Sequence, residues 1–228
     1  MTIRNWLKFF TMSLLIGGAI TGIASLIIQW NDFYKPLYID GDWKNIIVGF
    51  IWFVGLGFTM SVVVQTGYFA YLTIHQIGVN LFRSLTLWNW IQLLLIIMAI
   101  VDLILFRFKP SATGWHDWLL YSGLLILLLG VAVFTAHQKV RLTGKKHVFI
   151  SALFFMIVVS SLEWLIALWV KTSNGDMFVA LLIFPILSVN MYQLLILPKY
   201  NAKSIADIEK RAKRRKERKA AQMTPQSK

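Results

Sequence analysis

The 228-residue chain contains no cysteine, only ten acidic residues, and 14% charged residues in total. The absence of cysteine excludes disulfides, thiolate catalysis and cysteine-based metal or iron–sulfur sites. The shortage of charge accompanies 57% hydrophobic residues and a mean hydropathy of +0.65. Such a composition excludes an ordinary soluble domain of this length and indicates an integral membrane protein.

The apolar residues form continuous stretches of about 20 residues, which is the length that an α-helix needs to cross a bilayer. Because backbone groups must be satisfied internally in lipid, these stretches predict helices rather than a closed barrel. We predict an all-α, polytopic bundle of about six spans, at residues 9–29, 45–64, 88–105, 118–134, 148–170 and 178–197.

Two stretches leave this count open. The first span has a basic start and a small-residue motif near Gly22, so it is either an uncleaved helix, which its length favours, or a signal peptide. Residues 65–82 follow the second span without a charge but carry polar side chains. They either extend the second helix, lie at the inner interface or form a re-entrant piece.

Basic residues are distributed very unequally between the two sides of the predicted bundle. With the amino terminus in the cytoplasm, 18 lysines and arginines fall on the cytoplasmic side and five on the other side. The positive-inside rule therefore predicts a multi-pass protein of the plasma membrane with both termini cytoplasmic.

The formal net charge of +13 is mostly a property of the carboxyl end, because residues 198–228 hold eleven basic and three acidic residues. We divide the chain into a transmembrane domain, 1–198, and a basic cytoplasmic tail, 199–228, helical at first and then disordered. Pro185 is expected to kink the sixth span and Pro198 to end it. Ser204 and Asp207 resemble a capping box at the start of a tail helix, with Asp207 paired to Arg211.

Ionisable groups within spans are costly and usually face a bundle interior or a wet cavity. Asp102 and Glu163 fall at similar depth, where they either meet and share a proton or a cation, or separately reach water or basic residues; the second reading is favoured. Asn190 and Gln193 share one face of the sixth span. They either line a polar pocket with Glu163 or, as we prefer, join helix to helix by hydrogen bonds.

His75 and Gln76 lie in the ambiguous stretch 65–82, where a structural hydrogen bond is a better expectation for the imidazole than a pH sensor or a metal site. Gly18 and Gly22 form a GxxxG pattern in the first span. That pattern indicates close helix packing, either within the chain or in a homo-oligomer.

The basic run of the tail includes Lys213, Arg214, Arg215 and Lys216. Because the run directly follows a span on the predicted cytoplasmic side, binding to anionic lipid headgroups is favoured over binding to nucleic acid. The sequence also lacks a Walker loop and the GxGxxG, HExxH and GxSxG motifs. We therefore expect no enzymatic activity, no catalytic or metal-ligating residues and no cofactor.

The block Gly67-Tyr68-Phe69-Ala70-Tyr71-Leu72-Thr73-Ile74-His75-Gln76-Ile77-Gly78, with the opening Arg4-Asn5-Trp6-Leu7 and the glycine-rich first span, resembles the KinB-signalling pathway activation protein family, KbaA. The resemblance covers most of residues 1–200. It implies a six-span plasma-membrane protein of endospore-forming bacteria that promotes signalling by the membrane sensor kinase KinB into the sporulation phosphorelay. The family supplies no established catalytic residues.

Two function classes remain open. The resemblance favours a non-enzymatic regulator that contacts a KinB-like kinase within the membrane, through a small-residue helix face and the segment 67–78. The intramembrane polar residues instead suit a small transporter or ion-coupled permease, although no inverted repeat supports that alternative.

Overall fold

A computed structural model describes residues 1–112, 114–169 and 175–223, and every regular element in these ranges is helical. Six helices are long and apolar enough to cross a membrane. The predictions of an all-α fold and of six helices long and apolar enough to span a membrane are therefore confirmed. The end of the fifth predicted span at Val170, the outer basic residue Lys171 and the last five residues of the tail lie outside the described residues.

The described helices are α1 Ile3–Ile28, α2 Lys35–Ile39, α3 Trp43–Phe82, α4 Leu85–Asp102, α5 Lys109–Ser111, α6 Trp115–Thr143, α7 Val148–Phe154, α8 Ser160–Trp169 and α9 Gly175–Met223. Three π-helical segments, Trp30–Tyr34, Leu103–Phe108 and Phe155–Val159, lead directly into α2, α5 and α8. Four of the six membrane-length helices are α1, α3, α6 and α9; α4 with α5 and α7 with α8 form the other two.

Helix α9 is the centre of the bundle, since it packs against α1, α3, α6 and α8. In the most apolar stretch of α9, 67% of the residues are buried. In the corresponding stretch of the helix formed by α4 and α5, only 22% are buried. A helix that is apolar all round and mostly covered by protein belongs to the core of a membrane bundle. The amide side chains in this part of α9, Asn190 and Gln193, are fully buried and therefore point at other helices.

The ambiguous stretch 65–82 continues the second membrane-length helix, because α3 runs without a break from Trp43 to Phe82. Asp42 caps its start by accepting a hydrogen bond from the backbone N–H of Asn45. It ends at Arg83, which adopts a left-handed conformation with φ of 50°. Forty residues of helix span about 60 Å, twice the hydrocarbon thickness, so α3 extends beyond the lipid core or tilts strongly.

The expectation that Pro198 ends the sixth span is wrong, because α9 continues through Pro185 and Pro198 to Met223. Proline at position 198 lacks the N–H that would bond the carbonyl of Leu194 four residues earlier. The buried Lys139 of α6 donates its Nζ proton to that same Leu194 carbonyl. A side chain from a neighbouring helix thus satisfies the carbonyl that Pro198 leaves free, and the helix does not need to stop.

The predicted capping box at Ser204 is also wrong, since Ser204 lies inside α9 and its hydroxyl donates to the Tyr200 carbonyl. Ser204 and Asp207 instead hold the amino terminus of α1. Asn5 Nδ2 donates to Ser204 Oγ at 3.0 Å and to Asp207 Oδ2 at 3.1 Å. Arg4 Nη2 pairs with Asp207 Oδ2 at 3.2 Å, in place of the expected Arg211 pair. The first helix and the start of the tail therefore lie at the same end of the bundle.

Candidate functional site in the membrane-spanning core

Among the acidic side chains whose burial the structure describes, the most deeply buried one joins α8 to the central helix. Glu163 is 4% exposed, and its Oε2 accepts a hydrogen bond of 2.6 Å from Asn190 Nδ2. The same amide group also donates to Ser160 Oγ at 3.0 Å. The structure thus brings together two of the residues proposed from sequence, Glu163 and Asn190, and adds Ser160, which sequence reasoning missed.

Two local features aim Glu163 at α9. The π-helical segment Phe155–Val159 comes immediately before α8, and a π turn changes the direction of every following side chain by inserting an extra residue. Trp164, the next residue, is buried and donates its indole N–H to the Val179 carbonyl of α9 at 2.9 Å. These features fix the rotation of α8 and keep Glu163 inside the bundle.

Gly67 of α3 leaves the space that the Glu163 carboxyl occupies. A Cβ atom added at position 67 would stand 2.1 Å from Glu163 Oε1. Unlike Oε2, Oε1 is buried without a hydrogen-bond partner among the described residues. We call this arrangement of Gly67 and Glu163 the carboxyl notch. It places a hydrogen-bond acceptor next to a stretch of α3 that has no side chain.

Asp102, the other intramembrane acid, does not join this site. Its carboxylate pairs with Arg107 Nε at 3.7 Å, and its side chain is 44% exposed. Residues five apart meet here because the π-helical segment Leu103–Phe108 connects them, whereas in an α-helix they would diverge. The reading in which Asp102 pairs with a basic neighbour therefore describes the structure better than a carboxylate pair.

Gln193, one turn after Asn190, faces another helix. Its Nε2 donates to Ser13 Oγ of α1 at 3.3 Å, and both side chains are fully buried. Gln65 of α3 is also buried, and neither of its amide atoms has a partner among the described residues. A hydrogen bond between α9 and α1 therefore explains the buried position of Gln193. Of the two amide side chains, only Asn190 joins Glu163.

His75 belongs to a second polar network, which connects α3, α4 and α7. Trp88 Nε1 donates to His75 Nδ1 at 3.1 Å. An indole can only donate, so Nδ1 carries no proton in this contact. Gln92 Nε2 lies 3.5 Å from the same nitrogen, while Gln92 Oε1 accepts from Ser151 at 3.0 Å. Only His75 was singled out from sequence, because no local spacing relates it on α3 to Trp88 and Gln92 on α4 or to Ser151 on α7.

The remaining residues singled out from sequence lie apart from both networks. Gln76 is exposed, on a different face of α3 from the imidazole contacts. Gly18 and Gly22 pack inside the chain, since Cβ atoms there would stand 2.3 Å from Phe58 and 2.8 Å from Val54 of α3. This packing is the intramolecular alternative of the GxxxG prediction. The basic residues of the tail, Lys213, Arg214, Arg215 and Lys216, are all exposed.

The chemistry of the site is that of hydrogen bonding within the membrane. Across the described ranges, no three histidine, aspartate or glutamate side chains converge into a group able to hold a metal. Nor does Glu163 form an ion pair with any described residue. The arrangement offers one buried carboxyl at a groove between α3 and α8, bonded to the Asn190 amide, which in turn bonds the Ser160 hydroxyl.

Comparison with known proteins gives one family. The model of a family described as KbaA, KinB-signalling pathway activation in sporulation, matches residues 17–200. A KinB-signaling pathway activation protein of Bacillus subtilis (strain 168) is 36% identical over 200 residues, which cover 88% of this chain and 98% of the relative. No solved structure matches the chain. The family match includes part or all of each of the six membrane-length helices, and the chain belongs to the KbaA family of KinB-signalling pathway activation proteins.

Proposed function

We propose that this protein is a non-enzymatic membrane regulator that promotes signalling by a KinB-like sensor histidine kinase into the sporulation phosphorelay, through contact within the membrane. The observation that carries the proposal is the match to a KinB-signaling pathway activation protein over nearly the whole length of that relative. A bundle of six apolar helices with short connections offers its lipid-facing helix surfaces as the main area for such a contact.

The structure narrows where a kinase helix can bind. The glycine-rich face of α1 was one expected contact surface, but side chains and backbone of α3 already cover Gly17, Gly18 and Gly22. That surface is therefore not available in this fold. The segment 67–78, the other expected surface, retains an exposed strip that includes Ala70 and Ile74. The proposed contact thus moves to the α3 face beside the carboxyl notch.

The proposed orientation places both ends of the chain in the cytoplasm, where the kinase domain of a sensor kinase works. The excess of basic residues supports this orientation, as does the Arg4–Asp207 contact that holds both ends on one side. Because the chain has no cysteine, single cysteines at Lys44 and Lys216 report the two sides independently. In intact cells, an impermeant maleimide should label the Lys44→Cys variant only. Labelling of the Lys216→Cys variant alone would show the opposite orientation.

The exposed basic residues of the tail are proposed to bind anionic headgroups, with a binding free energy of about 1 kcal/mol per well-placed residue. Replacing Lys213, Arg214, Arg215 and Lys216 by glutamine should release the tail from vesicles containing phosphatidylserine. A fluorophore on a cysteine at position 210 measures this release. Equal tail association in neutral and anionic vesicles would contradict the proposal.

Deletion of the gene tests the proposed function directly. Reporters of the phosphorelay are measured in strains that each depend on one sensor kinase. The proposal expects the loss of signal to be confined to the strain that depends on the KinB-like kinase. An equal loss with every kinase would point to a general effect on the membrane or on solute supply, and no loss in any strain would contradict the proposal.

A transporter is the second candidate, because Glu163, Asn190 and Gln193 are all buried within the bundle. Transporters place such polar groups near the bilayer midplane, where they bind substrate or coupling ions. In proteoliposomes, a transporter should lose solute or ion flux when Glu163 is changed to glutamine. A regulator should show no flux with either the native chain or the Glu163→Gln variant.

A further inference from the structure

A groove opens between α3 and the helix formed by α7 and α8, with a cavity volume of about 460 Å³. On the α3 side, its lining includes Val63, Gly67, Ala70 and Ile74. These positions are spaced by four, three and four residues, so they form one stripe along the helix. From Val62 to Ile74 the groove follows α3 for about 18 Å, more than half of the hydrocarbon thickness.

The groove is apolar except at the carboxyl notch. Thr66 and Tyr71 also line it, but their hydroxyls already donate, to the Val62 carbonyl at 3.0 Å and to the Ser151 carbonyl at 3.1 Å. Glu163 lines the groove as well and is only 4% exposed. Its Oε1 accepts no hydrogen bond from any described residue. A buried acceptor without a donor is unfavourable, and more so in a low-dielectric surrounding.

The nature of the occupant follows from these features. Acyl chains fill an apolar groove in a membrane, but they supply no hydrogen-bond donor to Glu163. A transmembrane helix supplies both parts, because small residues let two backbones approach and a serine, threonine, asparagine or glutamine side chain donates across the interface. Gly67 and the exposed Ala70 project little from the surface of α3 along the stripe, so the backbone of an incoming helix can approach closely.

We infer that the groove between α3 and α7–α8 is the docking site for a transmembrane helix of the kinase, one that carries small residues and a hydrogen-bond donor for Glu163. The inference rests on the proposed function and adds the surface and the chemistry of the contact. Because Oε1 is itself buried, the Glu163 carboxyl must turn toward the groove to meet this donor, and Gly67 has no side chain to block that turn.

Photocrosslinking in native membranes tests the site. A benzophenone amino acid replaces Ile74 in the groove or, as a matched control, Ile126 on α6, which packs against α7 and α9 instead of α3. The two isoleucines are 51% and 70% exposed, so the control is at least as accessible to a neighbour. The inference expects the Ile74 probe to capture the kinase with a yield about tenfold above that of the Ile126 probe.

Gly67→Ala, combined with the Ile74 probe, should lower the yield about five- to tenfold, because the added methyl group displaces the carboxyl and raises the floor of the groove. Gly55→Ala is the control on the same helix, since a Cβ at position 55 meets nothing within 4 Å. If Gly67→Ala fails to accumulate in the membrane, the comparison of the two probes in the chain with native Gly67 decides alone.

Several results would overturn the inference. They are equal capture of the kinase by both probes, capture only by the Ile126 probe, and capture at Ile74 of lipid or of a second copy of the chain instead of the kinase. If these occur while deletion still abolishes signalling by one kinase alone, the docking site is wrong and the proposed function stands. If deletion has no kinase-specific effect either, both fail.

Discussion

Gly57 and Gly67 lie ten residues apart on the same helix, yet they face neighbours of different kinds. A Cβ at Gly57 would stand 2.5 Å from the Gly17 carbonyl oxygen and 2.8 Å from the Cα of Gly18, both backbone atoms of α1. At Gly67 the nearest atom, at 2.1 Å, is the end of the Glu163 side chain. We call the first contact region the glycine seam; the second is the carboxyl notch.

This difference separates the requirements of folding from those of binding. Backbone atoms in two packed helices cannot move without shifting a whole helix, so the glycine seam must remain free of side chains for the fold to form. The carboxyl group at the end of the Glu163 side chain can move at less cost than a packed helix, because it is held mainly by its hydrogen bond with Asn190. The glycine at position 67 is therefore less necessary for the fold, and the carboxyl notch is available for another role.

The largest effect is expected at the glycine seam. Gly57→Ala should lower the free energy of unfolding by about 3 kcal/mol, the upper range for overpacking, because the methyl group meets backbone on two sides. Unfolding of purified protein in mixed micelles with added denaturing detergent measures the change. Gly55→Ala is the control and should leave stability unchanged or slightly raised. Equal stability of the two variants would show that α1 and α3 are not packed as described.

Lys139 tests whether a polar contact is as costly to lose as the backbone contact of the glycine seam. Lys139→Met should cost about 2 kcal/mol, since it removes the charged donor to the Leu194 carbonyl. Pro198→Ala restores a backbone N–H for the same carbonyl, so the double variant should recover most of the loss. The same detergent titration gives the coupling between the two positions. Strictly additive effects would mean that Lys139 does not replace the missing bond.

Gly67→Ala sharpens the comparison because the same substitution is made at the other site. We expect a loss of less than about 1 kcal/mol, since only the carboxyl end must move. The ratio of this loss to that of Gly57→Ala, measured in the same preparation, is the quantity of interest. A loss at position 67 as large as that at position 57 would make both glycines structural.

The smallest effect is expected for Glu163→Gln, at about 0.5 kcal/mol or less. The glutamine oxygen can accept the hydrogen bond from Asn190 Nδ2 that the glutamate carboxyl accepts, so the contact between α8 and α9 is kept. Thermal aggregation of the solubilised protein checks this, with Glu163→Leu as the matched variant that leaves Asn190 only its hydrogen bond to Ser160. Equal loss in both variants would show that the negative charge itself is needed.

The sequence predicted the coarse fold well because apolar length is set by the bilayer. The six membrane-length apolar helices follow from it. Apolar length does not decide which polar residues meet, and the pairing of Glu163 with Asn190 was the less favoured of two readings. The partner of Asp102 was among the alternatives too. Its geometry depends on a π-helical segment, and no rule of α-helical spacing would place Arg107 five residues away on the same side.

What the sequence did not reveal are contacts between distant helices. The stop expected at Pro198 was wrong because a side chain 59 positions earlier replaces the missing donor, since Lys139 bonds the Leu194 carbonyl. The capping box at Ser204 was wrong because Ser204 and Asp207 hold Asn5, some 200 residues away. In both cases the residues have the expected hydrogen-bonding chemistry but a different partner. The packing of α9 at the centre of the bundle decides which partner is near.

The central claim is that the carboxyl notch serves a partner rather than the fold, and one signalling measurement tests it most directly. Kinase-specific phosphorelay output is compared between cells carrying Gly67→Ala and Gly55→Ala, with membrane levels of the two variants matched. The account predicts that Gly55→Ala signals like the native protein and that Gly67→Ala, present at the same level, loses most of the output. Full signalling by Gly67→Ala would contradict it.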